Sequence, residues 1–219
     1  MFITFAHIFL IMDQDFESIV YSENVVGFTA LAAQYCNMVD KLSLLSQKDF
    51  VDKSHRLLPL LYLKAIILPD TESVMPEMID KTVTQEEWEE VFHAVAKKLK
   101  GVDAYIEVFD SLSDEQQMTS LSEGFADIYQ DLKDFITLYG MGTPEIMNDA
   151  IWECKNNFKD FWGQRLVNVI RVLHHLLYGG ANLNQNDGRS VEDFDPEKRG
   201  KRQWSDFGWA SEGEEADDE

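Results

Sequence analysis

Five carboxylates have a spacing that could do chemistry: Glu86, Glu87 and Glu90, followed by Glu107 and Asp110. Paired acids on facing helices can hold Mg²⁺, which bridges phosphates and activates water, as in the all-helical nucleotide pyrophosphohydrolases. On that reading Glu87, Glu90, Glu107 and Asp110 form the metal set. The pattern has little specificity, because a chain with 40 acidic and 19 basic residues produces such spacings by accident. Glu86 and Glu87 also have a sufficient task near a helix N-terminus, where they complement the dipole. Cations for phosphate are not obvious nearby, although Lys97, Lys98 and Lys100 follow on the same helix. Glu90 and His93 form a Glu-x-x-His pair, but carboxylate-bridged di-iron bundles use two such pairs plus two further glutamates. A surface Glu beside a half-buried His is the simpler account, and no cofactor is expected.

The other reactive side chains have bland explanations. Cys36 and Cys154 sit inside apolar helical patterns and read as buried thiols acting as small hydrophobes. His174 and His175 are neighbours on a helix and point about 100° apart, so they cannot easily share a metal. One is expected to pack and one to stay exposed. His55 lies one turn before Pro59, where a freed carbonyl could accept its N–H. Trp152, Phe158, Phe161 and Trp162 at helical spacing read as core rather than a cofactor box, and Gly163 reads as a point of close helix approach.

The strongest functional lead is at the C-terminal end. Gln203-Trp-Ser-Asp-Phe-Gly-Trp209 is followed by a run of acids. Aromatics in an acidic tail have no core of their own, so Trp204, Phe207 and Trp209 are candidate anchors for a partner, with the acids steering it. Fold-back onto the chain's own bundle, or a purely solubilising role, are the alternatives.

Charge narrows the partners. A formal net charge of -21 and a pI near 4.5 oppose direct binding to nucleic acid and to anionic membranes. They favour solubility, divalent cations or a basic partner, of which a basic protein is the expected one; a nucleic-acid enzyme whose basic groove the acidic face occupies is one form this could take. The start, MFITFAHIFLIM, is apolar but lacks a basic region or cleavage site and is too short to span a bilayer. It reads as an upstream extension, with the true start expected at Met12.

Helices must position all of this. The segment Thr143–Tyr178 carries apolar residues at Met147, Ile151, Cys154, Phe158, Phe161, Leu166, Val169, Leu173 and Leu176, which is close to the helical period. As one helix it would run about 50 Å. Pro144 suits its first turn, and Gly179-Gly180 end it. Earlier helices are expected over 24–45, 48–68, 84–100 and about 120–139. The LLPLLYLKAIIL half of the second is apolar on nearly every face and predicts the most buried element, kinked at Pro59. Thr84 to Glu87 is a capping box. Residues 70–81 read as loop, 102–111 as a short extended or loop segment, and 111–119 as polar linker. On the fourth helix Asp127, Asp131 and Asp134 are expected to face outward or sideways.

The segments NDAIWECKNNFKDFWGQRLVNVIRVLHHL (148–176), EGFADIYQDLKDF (123–135) and LLPLLYLKAIILP (57–69) carry a family likeness. The chain resembles a bacterial domain-of-unknown-function family of acidic proteins about 200 residues long, over about Asp15 to Leu177. The resemblance implies an all-helical cytoplasmic protein, with no activity and no site residues to carry over.

The expectation is therefore an all-α chain: an extension over 1–14, a single antiparallel bundle of about five main helices over 15–180 ending in a long helix, and a disordered acidic tail over 181–219. Its expected role is non-enzymatic, binding a basic protein in the cytoplasm through its acidic surface and tail, with Mg²⁺-dependent nucleotide pyrophosphohydrolysis as the alternative.

Overall fold

A computed structural model describes residues 16–79, 81–107 and 117–183. The expectations for 1–14, Asp110 and the tail residues Trp204, Phe207 and Trp209 lie outside those residues. Six principal helices follow in order: α1 (Glu23–Asp40), α2 (Gln47–Ile66), α3 (Gln85–Lys98), α4 (Leu121–Tyr139), α5 (Pro144–Asn157) and α6 (Gly163–Tyr178). A small antiparallel pair, β1 (Ala104–Glu107) and β2 (Gln117–Ser120), joins α3 to α4, with Ala104 opposite Ser120 and Glu107 opposite Gln117. The fold is the expected helical bundle. The pairing of β2, read from sequence as linker, is new.

Helix starts follow local chemistry. The Ser46 Oγ accepts from the Asp49 amide at 3.0 Å and opens α2. Thr84 and Glu87 form the expected capping box at α3. Ser120 caps α4 by accepting from the Glu123 amide at 3.1 Å.

The centre of the bundle is α4, which packs against α1, α3, α5 and α6, whereas α2 touches mainly α1 and α6. This overturns the expectation that α2 is most buried. Leu58, Leu61 and Ala65 do enter the core, but Leu60, Leu63, Ile66 and Ile67 are 52, 53, 48 and 41% exposed. Hydrophobicity on every face does not choose the buried one; the number of packed neighbours does.

The long C-terminal helix is continuous in path but contains one π turn, Phe158–Trp162, between α5 and α6. Wide turns leave the backbone ladder out of step. Here the Cys154 carbonyl accepts both the Phe158 amide and the Trp162 indole N–H, the latter at 3.1 Å. Gly163 serves this turn rather than another helix: a Cβ there would stand 2.4 Å from the Phe158 carbonyl oxygen. The close inter-helix approach is instead at Gly124, where a Cβ would meet Val169 Cγ2 at 2.7 Å.

Two buried aspartates hold the long connection between α2 and α3. Asp149 accepts from the Ser73 hydroxyl at 2.9 Å and from the Val74 and Met75 amides at 2.8 and 2.6 Å. Asp134 accepts from the Thr82 amide and hydroxyl and from the Val83 amide, all within 2.8 Å. Both carboxylates thus substitute for secondary structure by satisfying loop N–H groups.

Candidate functional site

The acids singled out by spacing are assigned to separate tasks. Glu87 closes the capping box, accepting from the Thr84 amide at 2.8 Å. With Glu90 it lines a groove of about 460 Å³ between α1, α3 and α4, beside Asp40, Tyr129 and Lys133. Glu107, by contrast, is buried on β1, 2.6 Å from Arg165 and 3.3 Å from the Asn168 amide nitrogen. Among the described residues no three acids, histidines or cysteines are grouped to hold a metal ion. His93 is exposed, not half-buried.

The acids that sequence reading set aside form the densest polar network. Asp127, Asp131 and Asp134 are buried, contrary to expectation. Arg165 lies 3.3 Å from Asp127, 2.6 Å from Glu107 and 3.6 Å from Glu123. Lys81 lies 3.0 Å from Glu153 and 3.9 to 4.0 Å from Asp134 and Asp131. Asp131 also accepts from the Asn157 amide at 2.7 Å, and Asp127 from the Trp88 indole at 3.1 Å. Burial pushes Asp127 up to about 6, against the pull of Arg165 and the Trp88 hydrogen bond. It does the same to Asp131, also to about 6, against Asn157 and Lys81.

Unfolded aspartate titrates near ~3.9, so the charged form is disfavoured by folding. That penalty is absent below about pH 4, grows between about pH 4 and 6, and is fully present above about pH 7. Asp127→Asn keeps an acceptor for Trp88 and leaves Arg165 paired with Glu107 and Glu123. It is expected to stabilise the fold at pH 7.5 by about 1–2 kcal/mol after solvent screening, and to change little at pH 4.5. Urea midpoints of both proteins at the two pH values measure this; equal differences at both would refute it.

The remaining reactive groups are quiet. Cys36 and Cys154 are buried free thiols, and burial pushes Cys36 up to about 12 and Cys154 well above its ordinary value. Such thiols are poor nucleophiles. His55 packs against His174 at 5.6 Å and Tyr178 at 5.7 Å between ring centres, which is the contact that replaces the expected bond to a carbonyl. Of the expected packed and exposed histidines, His174 packs its ring against His55 and Tyr178, yet both His174 and His175 remain exposed.

A second groove, of about 490 Å³, lies between α1 and α2, lined by Met38, Lys41, Leu44, Lys53, Arg56 and Leu60 among others. It runs into the exposed aliphatic face of α2. Leu60, Leu63, Ile66 and Ile67 fall within about 120° of one another around the helix, and Lys53 and Arg56 extend the same face by a turn.

A family model described as a domain of unknown function, DUF5063, matches residues 19–179. The chain belongs to DUF5063. A crystal structure of a Bacteroides fragilis protein from a structural genomics consortium is similar, with 38% identity and a TM-score of 0.66, and is matched over 73% of this chain and 96% of its own. Nothing among the curated proteins matches. This fits the resemblance to a bacterial domain-of-unknown-function family.

In this DUF5063 chain two features escaped sequence reading. The Asp127, Asp131, Asp134 stripe has helical spacing on the inward side of α4, a signal that acidity alone obscured. The α1–α2 groove had no sequence signal, because it depends on which face of α2 is left without a neighbour.

Proposed function

We propose that the protein is a non-enzymatic interaction module that engages a basic protein partner through its acidic surface and its Trp204–Trp209 segment. The observation that carries the reading is the exposed acidic face of α3; the aliphatic face of α2, whose large side chains remain exposed, adds a second surface. Contiguous exposed aliphatics on a folded bundle mark a surface to be covered. The sign of the partner comes from α3, where Glu86, Glu87, Glu89 and Glu90 are all exposed and make no ion pair among the described residues. A cytoplasmic location agrees with the two free thiols. No helix among the described residues is long and apolar enough to cross a membrane. The pyrophosphohydrolase alternative gains no support, since Glu87 and Glu107 are bonded to Thr84 and Arg165 respectively.

The test is a paired affinity purification with the intact chain and one ending at Asn182. A stoichiometric basic protein retained by the intact chain, and released as salt rises from about 0.15 to 0.5 M, is expected. Capture of nothing stoichiometric would remove the reading. Mg²⁺-dependent nucleotide hydrolysis abolished by Glu90→Gln would replace it with the alternative.

A further inference from the structure

The groove between α1 and α2 has the wrong charge for this protein. Its lining includes Lys41, Lys53 and Arg56 and not one carboxylate, in a chain of 40 acidic and 19 basic residues. Arg56 shares its charge with Asp52 at 2.9 Å, while Lys41 and Lys53 make no ion pair among the described residues. Around these cations the surface is apolar. Leu44 is 79% exposed and Leu60 52%, with Met38 and Leu57 beneath. A surface of exposed aliphatics, a thioether and three cations selects a segment that is both aromatic and acidic. Aromatic rings pack on aliphatics and sulfur and stack under guanidinium and ammonium groups, while carboxylates neutralise the rim.

The chain carries such a segment itself. Trp204, Phe207 and Trp209 are followed by Glu212, Glu214, Glu215, Asp217, Asp218 and Glu219, with no Lys or Arg after Arg202. The point of departure is also close. Tyr178, at the end of α6, is 5.7 Å from His55 between ring centres, and His55 adjoins Arg56 of the groove. From Leu183 to Trp204 is 21 residues (204 − 183), enough for up to about 70 Å. A tether of that length holds its end near millimolar effective concentration, so even weak complementarity suffices for docking.

We propose that the Trp204–Glu219 segment docks in the α1–α2 groove of its own chain. The groove offers the same chemistry as the basic partner proposed above, so docking competes with that partner and sets how much of the segment is available to it. The inference does not need a partner to exist.

The test uses the full chain. Hydrogen exchange is compared for the wild type, for Trp204→Ser/Phe207→Ser/Trp209→Ser, and for Lys41→Glu/Lys53→Glu, whose changed side chains leave the core untouched. A segment docked about nine-tenths of the time slows exchange of the covered amides about tenfold. Both variants are expected to lose that protection at residues 41–45, and the wild type to lose it in high salt. Carbodiimide cross-linking of an equal mixture of ¹⁴N and ¹⁵N chains is expected to join Lys41 or Lys53 to residues 212–219 within one isotope. Unchanged exchange in both variants would overturn the proposal. Cross-links of mixed isotope would overturn it in favour of a second copy as occupant. Partner capture plays no part in this readout, so docking without a captured partner removes the proposed function and leaves this inference standing.

Discussion

Arg165→Met is expected to destabilise the bundle by about 3–5 kcal/mol at neutral pH, because it removes one partner of a buried ion pair and leaves the others uncompensated. The Glu107 side chain is fully buried and holds Arg165 at 2.6 Å; Asp127 and Glu123 complete the set. Without the guanidinium, a fully buried carboxylate keeps only its bond to Asn168 among those described. Arg165→Lys is expected to recover only part of the loss, since an ammonium cannot reach three carboxylates with a planar fork. The measurement is urea unfolding. At a typical slope of about 1–3 kcal/mol per molar, a midpoint drop of roughly 2 M is expected. Pairing Arg165→Met with Glu107→Gln should restore much of the loss, because the orphaned charge disappears with its partner. A single-variant loss below about 1 kcal/mol would mean that water reaches Glu107 readily.

Trp162→Ala is expected to cost a similar amount, about 3–5 kcal/mol, by a different route. The ring is fully buried, edge-on to Phe158 at 4.6 Å and stacked on Phe28 at 6.4 Å between centres. Its indole N–H also serves the Cys154 carbonyl inside the wide turn. Truncation therefore opens a cavity where α1 meets the π turn and strips a hydrogen bond from the irregular backbone. Trp162→Phe separates the two parts. It keeps most of the packing and loses the donor, so a smaller cost of about 1–2 kcal/mol is expected. Calorimetric melting of both variants checks the order; a Phe variant as damaged as the Ala variant would assign the effect to the hydrogen bond.

Much of the fold was legible because helices announce themselves locally. Thr84 with Glu87, Ser120 with Glu123, and Pro144 near a helix start each mark a boundary with chemistry contained in four residues. The features that were not legible depend on partners distant in sequence. Asp134 is inside because Thr82 and Val83, some fifty positions away, bring amides to it. Asp127 is inside because Arg165 arrives from another helix. The four aliphatics on α2 remain outside because α2 packs mainly on α1 and α6 and nothing described lies over that face. The grouping of Glu87, Glu90 and Glu107 gains no support for the complementary reason, and Asp110 lies outside the described residues. Regular spacing says where side chains point around one helix, but Glu107 lies on a strand and is committed to Arg165.

The π turn at Phe158–Trp162 also sets the phase of everything beyond it. A wide turn holds one residue more than the α-helical turn it replaces without moving either end. If the addition were absorbed as ordinary helix, everything beyond it would rotate by about 100°, carrying Arg165, Leu166 and Val169 off the faces they serve. Gly163, with no side chain to oppose the Phe158 carbonyl, lets the wide turn close. The wide turn thus works as a phase adjuster, letting α5 and α6 each present an apolar face to α4.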